Sequence, residues 1–334
     1  MSIVEEKIFV SINPGGISNR LKCLISMWRF ADKENGKLLL YWPKNKTCNI
    51  NFSDLFENDI EEVNKKGLLE IFKNKDFCLF DESLNVLEKT PKKYLLSESW
   101  RWKLFKDEIE KGFGKENPSK DGRDIDFEFE KIPEKLRKEF LFYLKKLKPI
   151  EKIREKITKL EEEYDLKNLV GVHLRQGDFL NYSDGMEKIA NVNRVADEIN
   201  KILKENPSQK FFLCTDSNEA EIKIKEIFTN KIVIFKKNCF DRLDKEFNQD
   251  GLIDLILLSK TKKIIGTYMS TFTELAWWLG GANTKMNVVA TDSEKKEYLR
   301  HKMKSTGNFI GNIKKIIYNL IFPKYKRILD ANAL

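Results

Sequence analysis

Apolar residues along this chain fall into two kinds of run that alternate. Short continuous runs rich in β-branched and aromatic residues read as strands buried on both faces. Longer stretches with an apolar residue every three or four positions read as amphipathic helices. Residues 7–12 give a first strand, and Asn13-Pro14-Gly15-Gly16 gives a turn. Ser18 is then placed to cap a helix whose apolar stripe runs through Leu21, Leu24, Ile25, Trp28 and Phe30, and which Gly36 ends. Residues 38–42 are the next strand, halted by Pro43. Strand, glycine turn, helix and strand make up the repeating unit of a parallel sheet.

The alternation is more regular in the second half. The stretch Leu169 to Tyr182 begins as a buried parallel strand, Leu-Val-Gly-Val-His-Leu, and empties into a loop of Gly, Asp and Asn. Helices are expected over 187–205, 218–228, 251–259 and 272–279, and strands over 210–216, 232–235, 262–266 and 287–290. That pattern predicts a doubly wound α/β domain, in which ligands bind outside the carboxyl ends of the strands.

Between the halves, 132–164 is helical in pattern, as two helices parted near Pro149. Residues 51–130 give only short segments, with an aromatic cluster at Trp100, Trp102 and Phe105 that suits core packing or stacking on a sugar. Residues 309–329 read as a basic amphipathic helix. It either packs across the domains or makes peripheral contact with an anionic membrane. The expected division is residues 1–165, with the acceptor side assigned to them, then 166–292 for the donor nucleotide, then 293–334 as the helical tail.

Composition changes this picture little. The chain has 334 residues, 41% of them hydrophobic, enough for two domains with cores of their own. Its formal net charge of +9 comes from 61 basic and 52 acidic residues that are mostly interleaved, as on solvated helix faces. Such a balance attracts nucleic acid or an anionic membrane as readily as it favours an anionic small substrate, and composition does not choose among them. No stacking motif accompanies the lysines, so no nucleic-acid partner is expected. The five cysteines, Cys23, Cys48, Cys78, Cys214 and Cys239, are odd in number and contain no CxxC pair, the pattern of reduced thiols. With Glu5, Glu6 and Lys7 where a signal peptide would be apolar, the expected location is the cytoplasm.

Chemistry gathers at the expected strand ends. His173 and Arg175, two residues apart, share one face of their strand, and Asp178 follows. Asp216 ends another strand, and Ser270 and Thr271 open a helix, where hydroxyls and amides together suit a phosphate. Arg175 supplies charge and a fork of donors. In the first half, Asn19 and Arg20 lie just inside a helix start and either reach a ligand or belong to a solvated cap. Asp124 and Asp126, one residue apart, either chelate a divalent cation or belong to an exposed edge.

Four segments, taken together, resemble the superfamily of α1,2-, α1,6- and protein O-fucosyltransferases that use GDP-fucose. Residues 171–179, Gly-Val-His-Leu-Arg-Gln-Gly-Asp-Phe, are similar to its His-x-Arg motif. Residues 212–217 resemble its second motif, and 254–259 through 266–272 its third. Residues 15–21 resemble its N-terminal Gly-Gly-x-x-Asn loop. The resemblance departs at Gln176, where the α1,2 and α1,6 branches often carry a second arginine. It mixes features of those two branches and assigns no linkage.

The resemblance implies a GT-B architecture, two Rossmann-like domains facing a cleft, and metal-independent inverting transfer of L-fucose from GDP-β-L-fucose. By motif match His173 contacts the nucleoside, Arg175 the β-phosphate and glycosidic oxygen, and Ser270 and Thr271, beside Phe272, the diphosphate. Asp254 or Asp216 meets the guanine or holds the site, and Gly16 and Asn19 close on the sugar. No cofactor beyond the donor substrate is expected. The base for the acceptor hydroxyl is left between Asp178 and Glu187. The competing readings are a metal-dependent GT-A enzyme using Asp124 and Asp126, and a non-catalytic nucleotide-sugar or glycan-binding protein.

Overall fold

A computed structural model describes residues 6–74, 76–80, 86–87, 93–97, 104–105, 134–177, 191–291 and 293–294. The chain divides into two compact units, one comprising residues 1–155, 241–252 and 331–334, the other 156–240 and 253–330. Both contain parallel sheets flanked by helices.

In the first unit the chain runs β1 (Ile8–Ser11), α1 (Ile17–Lys33), β2 (Lys37–Leu40), α2 (Lys65–Asn74), β3 (Phe77–Phe80), β4 (Val86–Leu87), β5 (Tyr94–Ser97), β6 (Leu104–Phe105) and α3 (Glu134–Lys146). The strands form an all-parallel sheet in the order β2-β1-β5-β3, with β4 and β6 as a separate pair. Phe9 and Leu95 from the sheet pack on Met27, Phe30 and Ala31 of α1; of the stripe read from the sequence, Leu21, Leu24, Ile25 and Phe30 are buried and Trp28 is half-buried.

The helix ends differ from the sequence expectation by a residue or two. Gly16, not Ser18, is the N-cap of α1: its backbone is extended (φ −67°, ψ 171°) while its carbonyl already accepts from Arg20 N at 3.1 Å. Ser18 is buried in the first turn instead. After α1, Asn35 adopts the left-handed φ of 55°. Gly36 follows because a Cβ there would sit 2.6 Å from the carbonyl oxygen of Lys7.

Residues 241–252 lie far along the sequence but belong to this first unit. The Asn49 amide donates to the Leu243 carbonyl at 2.6 Å, Lys245 pairs with Asp54 at 2.7 Å, and Gln249 donates to the Asp54 carbonyl at 3.0 Å.

The chain continues through α4 (Glu151–Glu163), β7 (Val170–Leu174), α5 (Val192–Glu205), β8 (Phe211–Thr215), α6 (Asn218–Ile227), β9 (Ile232–Ile234), α7 (Lys245–Ser259), β10 (Lys263–Thr267), α8 (Thr271–Leu279) and β11 (Lys285–Val289). The sheet order β11-β10-β7-β8-β9 is parallel throughout. Alternation along β7 sorts its residues. Val170, Val172 and Leu174 join Val195 and Ile199 of α5 and Ala220 and Ile224 of α6 in one core.

The opposite face needs glycine. A Cβ at Gly171 would lie 2.5 Å from Leu258 and Thr261, and one at Gly266 would lie 2.1 Å from the Thr273 methyl. Helices α7 and α8 therefore press against the sheet there, giving a doubly wound, Rossmann-like unit.

The sequence starts α7 six residues too late, at Gly251. Its first turns carry Glu246, Asn248, Gln249 and Asp250 and lack an apolar stripe. The Asp244 carboxylate accepts from Glu246 N at 2.6 Å at the helix start, and Gly251 lies mid-helix with open space around its Cβ position. Among the described residues no helix is long and apolar enough to cross a membrane. Cys23, Cys48 and Cys214 are buried thiols and Cys239 a half-buried one, none of the four in a disulfide.

Candidate functional site

The carboxyl ends of β7, β10 and β8 lie side by side, with His173 paired to Gly266 on one side and Cys214 on the other. Because His173 sits on the α8 face of β7, its ring enters the first turn of α8. It stacks on Phe272 with centroids 4.5 Å apart and planes 21° from parallel. Its Nδ1 lies 2.7 Å from Thr273 Oγ1 and 3.4 Å from Ser270 Oγ. Burial, reinforced by the positive charges of Arg175 and Lys237 and opposed by Asp216, lowers its pKa from 6.5 to about 3. The imidazole is therefore neutral at physiological pH.

Arg175 is the first residue beyond β7 and is half-buried. Its backbone N–H donates to Thr267 Oγ1 at 3.0 Å, and that hydroxyl donates to the His173 carbonyl at 3.1 Å. The strand exit is thus pinned to the end of β10. The next two amides, Gln176 N and Gly177 N, both donate to Asp216 Oδ1, at 2.9 and 3.1 Å. Asp216 therefore ties the loop after the His-x-Arg segment to the end of β8. Its place in the structure is that of a loop holder.

Ser270 caps α8, its hydroxyl accepting from Thr273 N. The first intrahelical bond runs from Glu274 N to the Ser270 carbonyl, so the amides of Thr271 and Phe272 precede it at the positive end of the helix dipole. Met269 holds a left-handed φ of 60°, the one such non-glycine residue at this described strand-to-helix turn.

Asp254, on α7, is almost fully buried and meets Lys237 at 2.7 Å. Lys237 also donates to the Thr215 carbonyl at 2.8 Å, one residue before Asp216. Desolvation pulls the Lys237 pKa down, but Asp254 and the Cys214 sulfur outweigh it and the net shift is upward. The Cys214 thiol, under burial and beside Asp254, is pushed well above its ordinary range.

In the first unit the Asn13 to Gly16 turn is heavily braced. Arg20 donates to the carbonyls of Gly15 (2.6 Å), Pro43 (2.7 Å) and Pro14 (3.4 Å) and lies over Trp42. Its guanidinium is buried in this bracing, so Arg20 is a structural clamp, not a group that reaches a ligand. Asn45 and Thr47 also donate to the Pro14 carbonyl, each at 2.8 Å. A Cβ at Gly15 would lie 2.8 Å from the Asn19 amide nitrogen and 2.9 Å from Asn13 Oδ1, so the ends of those two side chains would have to shift. At Gly16 a Cβ would meet only the Thr47 carbonyl, at 3.8 Å. Asn19 Oδ1 is buried with no hydrogen-bond partner among the described residues.

The structure thus gathers His173, Arg175, Asp216, Ser270, Thr271 and Phe272 at neighbouring strand ends, with Asp254 on the helix behind β8. Asp178, Glu187, Asp124, Asp126, Trp100, Trp102 and the 309–329 tail lie outside the described residues, as does the side chain of Phe105. Among the described residues no group of three or more His, Cys, Asp or Glu side chains is placed to hold a metal ion.

Sequence reasoning missed Thr267, Thr273 and Lys237. Gly266 within a strand was the available signal for the close approach of Thr273. Lys237 offered none, because a loop lysine reads as solvated until its partner 17 positions on is folded beside it.

No protein-family model matches the sequence, and no curated protein matches it. Solved structures do. The NodZ α-1,6-fucosyltransferase soaked with GDP-fucose matches with a TM-score of 0.54 and 17% identity, over 82% of this chain and 92% of that one. Selenomethionine NodZ from Bradyrhizobium gives 0.53 and 16% over the same shares. An arginine-to-lysine mutant of Arabidopsis thaliana FUT1 in complex with GDP gives 0.53 and 14%, over 86% of this chain and 71% of that one. The likeness is one of fold: an α/β chain with parallel, Rossmann-like sheets, consistent with GT-B.

Proposed function

We propose that this chain transfers L-fucose from GDP-β-L-fucose to a hydroxyl of a glycan or lipid-linked saccharide, with inversion at the sugar carbon. The observation that carries the reading is the set His173, Arg175, Ser270, Thr271 and Phe272, held at adjoining strand ends in a fold shared with structures solved with GDP-fucose and with GDP.

Departure of GDP builds negative charge on the β-phosphate oxygen while the sugar becomes oxocarbenium-like. A guanidinium fixed beside that oxygen stabilises the transition state more than the ground state. Arg175 takes this role, its backbone fixed by Thr267. The Thr271 and Phe272 amides receive the diphosphate, and Ser270, buried behind them, caps the helix that presents them. Neutral His173 contacts the nucleoside, and Asp254, set by Lys237, stands behind it at the guanine. Asp216 holds the loop that leads to Asp178, which with Glu187 is a candidate base for the acceptor hydroxyl. In this reading the two units face a cleft, residues 1–165 present the acceptor, and Gly16 and Asn19 close on the sugar. The mechanism calls on no metal.

A thermal-shift screen of GDP-, UDP- and CDP-sugars, with Mg²⁺ or EDTA, tests the proposal. A ligand at about 100 times its Kd adds about 2.7 kcal/mol of stability. GDP-fucose is expected to raise the melting temperature equally in both buffers. A preference for a UDP- or CDP-sugar, or a shift that vanishes in EDTA, contradicts the reading.

A further inference from the structure

We infer that Thr273 is a positioning residue that fixes the tautomer of His173, so that the ring presents Nε2–H as a donor and takes an acceptor atom of the bound nucleotide. The inference rests on the donor site proposed above but is argued from the unliganded ring alone.

Two hydroxyls converge on Nδ1, Thr273 Oγ1 at 2.7 Å and Ser270 Oγ at 3.4 Å, and both residues are 1% or less exposed. A buried hydroxyl hydrogen without an acceptor is costly. Among the described residues, Nδ1 is the only acceptor that either side-chain hydroxyl reaches. The Ser270 oxygen accepts from Thr273 N, and among the described residues no hydrogen bond joins the two hydroxyls.

If Nδ1 carried the proton, both hydroxyl hydrogens would be stranded. With the proton on Nε2, Thr273 donates to the Nδ1 lone pair and the short contact is satisfied. Burial keeps the ring neutral, so a second proton does not blur the choice. The ring plane is fixed as well, by Phe272 stacked at 4.5 Å.

Thr273 can occupy this place only because strand β10 carries Gly266 beneath it, where a Cβ would lie 2.1 Å from the threonine methyl and 2.9 Å from its hydroxyl. The ligand atom facing His173 is then an acceptor, such as a carbonyl oxygen or a pyridine-type nitrogen of the base, a ribose oxygen or a phosphate oxygen. A ribose hydroxyl hydrogen or an exocyclic amine would find no lone pair there.

The chain has two histidines, so ¹⁵N-histidine labelling with a His301→Gln variant to assign the second ring reads this directly. In the free protein near neutral pH, His173 is expected to show a protonated, pyrrole-like Nε2 and an unprotonated, pyridine-like Nδ1. The opposite pattern overturns the inference. Thr273→Val keeps the shape and removes the hydroxyl; it should convert the ring to a mixture of tautomers, and Thr273→Ser should restore the single form. An unchanged spectrum in Thr273→Val overturns the role of Thr273.

With GDP-fucose as substrate, Thr273→Val should raise the donor KM about fivefold, the worth of one hydrogen bond, with kcat within about twofold. An unchanged KM contradicts the link to the nucleotide. A correct tautomer in a protein that does not turn over GDP-fucose would leave the positioning intact and dismiss the proposed donor.

Discussion

Replacing Lys237 by Met separates a buried charge from its partner while keeping most of the side-chain volume. The ammonium lies 2.7 Å from Asp254, with the two side chains 3% and 5% exposed. At an effective dielectric constant near 20, their attraction is about 6 kcal/mol. The variant does not lose all of it, because Asp254 can escape by taking up a proton. At pH 7 that costs about 4 kcal/mol from an ordinary aspartate pKa near 3.9, and at pH 5 about 1.5 kcal/mol.

The lost hydrogen bond to the Thr215 carbonyl adds about 1 kcal/mol at either pH. Lys237→Met is therefore expected to lose about 5 kcal/mol of stability at pH 7 and about 2.5 kcal/mol at pH 5. The sign follows from the carboxyl: without Lys237 its folded pKa rises above the unfolded value, so the penalty is absent at low pH and grows as pH rises. Urea unfolding of wild type and variant at both pH values measures the difference, in which other titrations cancel. Removing both charges, in Lys237→Met with Asp254→Leu, should recover most of the loss, since a buried pair is worth little net against well-packed apolar residues. A cost below about 1 kcal/mol at pH 7, or one equal at the two pH values, would mean that Asp254 is not left as an unpaired buried carboxylate.

His173 makes stability climb with pH: its folded pKa is depressed to about 3, so between there and 6.5 the unfolded chain binds a proton that the folded chain does not. That contributes a slope of up to about 1.4 kcal/mol per pH unit, which His173→Gln should remove from the urea-unfolding profile; an unchanged slope contradicts the buried neutral ring. Asp216→Asn keeps an acceptor for Gln176 N and Gly177 N and should leave the melting temperature nearly unchanged, whereas Asp216→Ala strands both amides and should cost about 2 kcal/mol; equal losses would mean that the charge, not the hydrogen bonds, holds the loop. Gly15→Ala puts a Cβ 2.8 Å from Asn19 Nδ2 and 2.9 Å from Asn13 Oδ1, side-chain ends that can move aside, and should destabilise the first unit by no more than about 1 kcal/mol; a larger loss in urea unfolding contradicts this. Gly16→Ala meets nothing closer than 3.8 Å and should leave the melting temperature intact, so a loss of turnover in that variant would report on the ligand; a large loss of stability would contradict the geometry.

How much of this was legible in the sequence depended on whether its cause was local. Strands β7 and β8 announce themselves because burial on both faces demands an unbroken apolar run, and the helices parted at Pro149 do so by periodicity. The turn before α1 was legible as a turn, but the use of Arg20 was not. An arginine near a helix start reads as solvated until the carbonyls of Pro14, Gly15 and Pro43 converge on it. The polar start of α7 hid six residues of helix. At the candidate site, the residues that stand at strand ends could be named in advance, since the α/β pattern fixes where loops emerge. Their supports could not. Thr273 meets His173 across 100 residues, and the loop residue Lys237 becomes a buried ion only when Asp254 arrives from α7.

In the proposed reaction Arg175 stabilises the departure of GDP from GDP-β-L-fucose. Time-resolved proton NMR of the purified protein with that donor, water serving as the acceptor, follows the bond that breaks. GDP and α-L-fucose are expected as the first products of the wild-type protein, with that turnover falling at least about a hundredfold in Arg175→Ala while the melting temperature is preserved. Release of β-L-fucose first, or near-normal turnover in Arg175→Ala, would contradict the proposal.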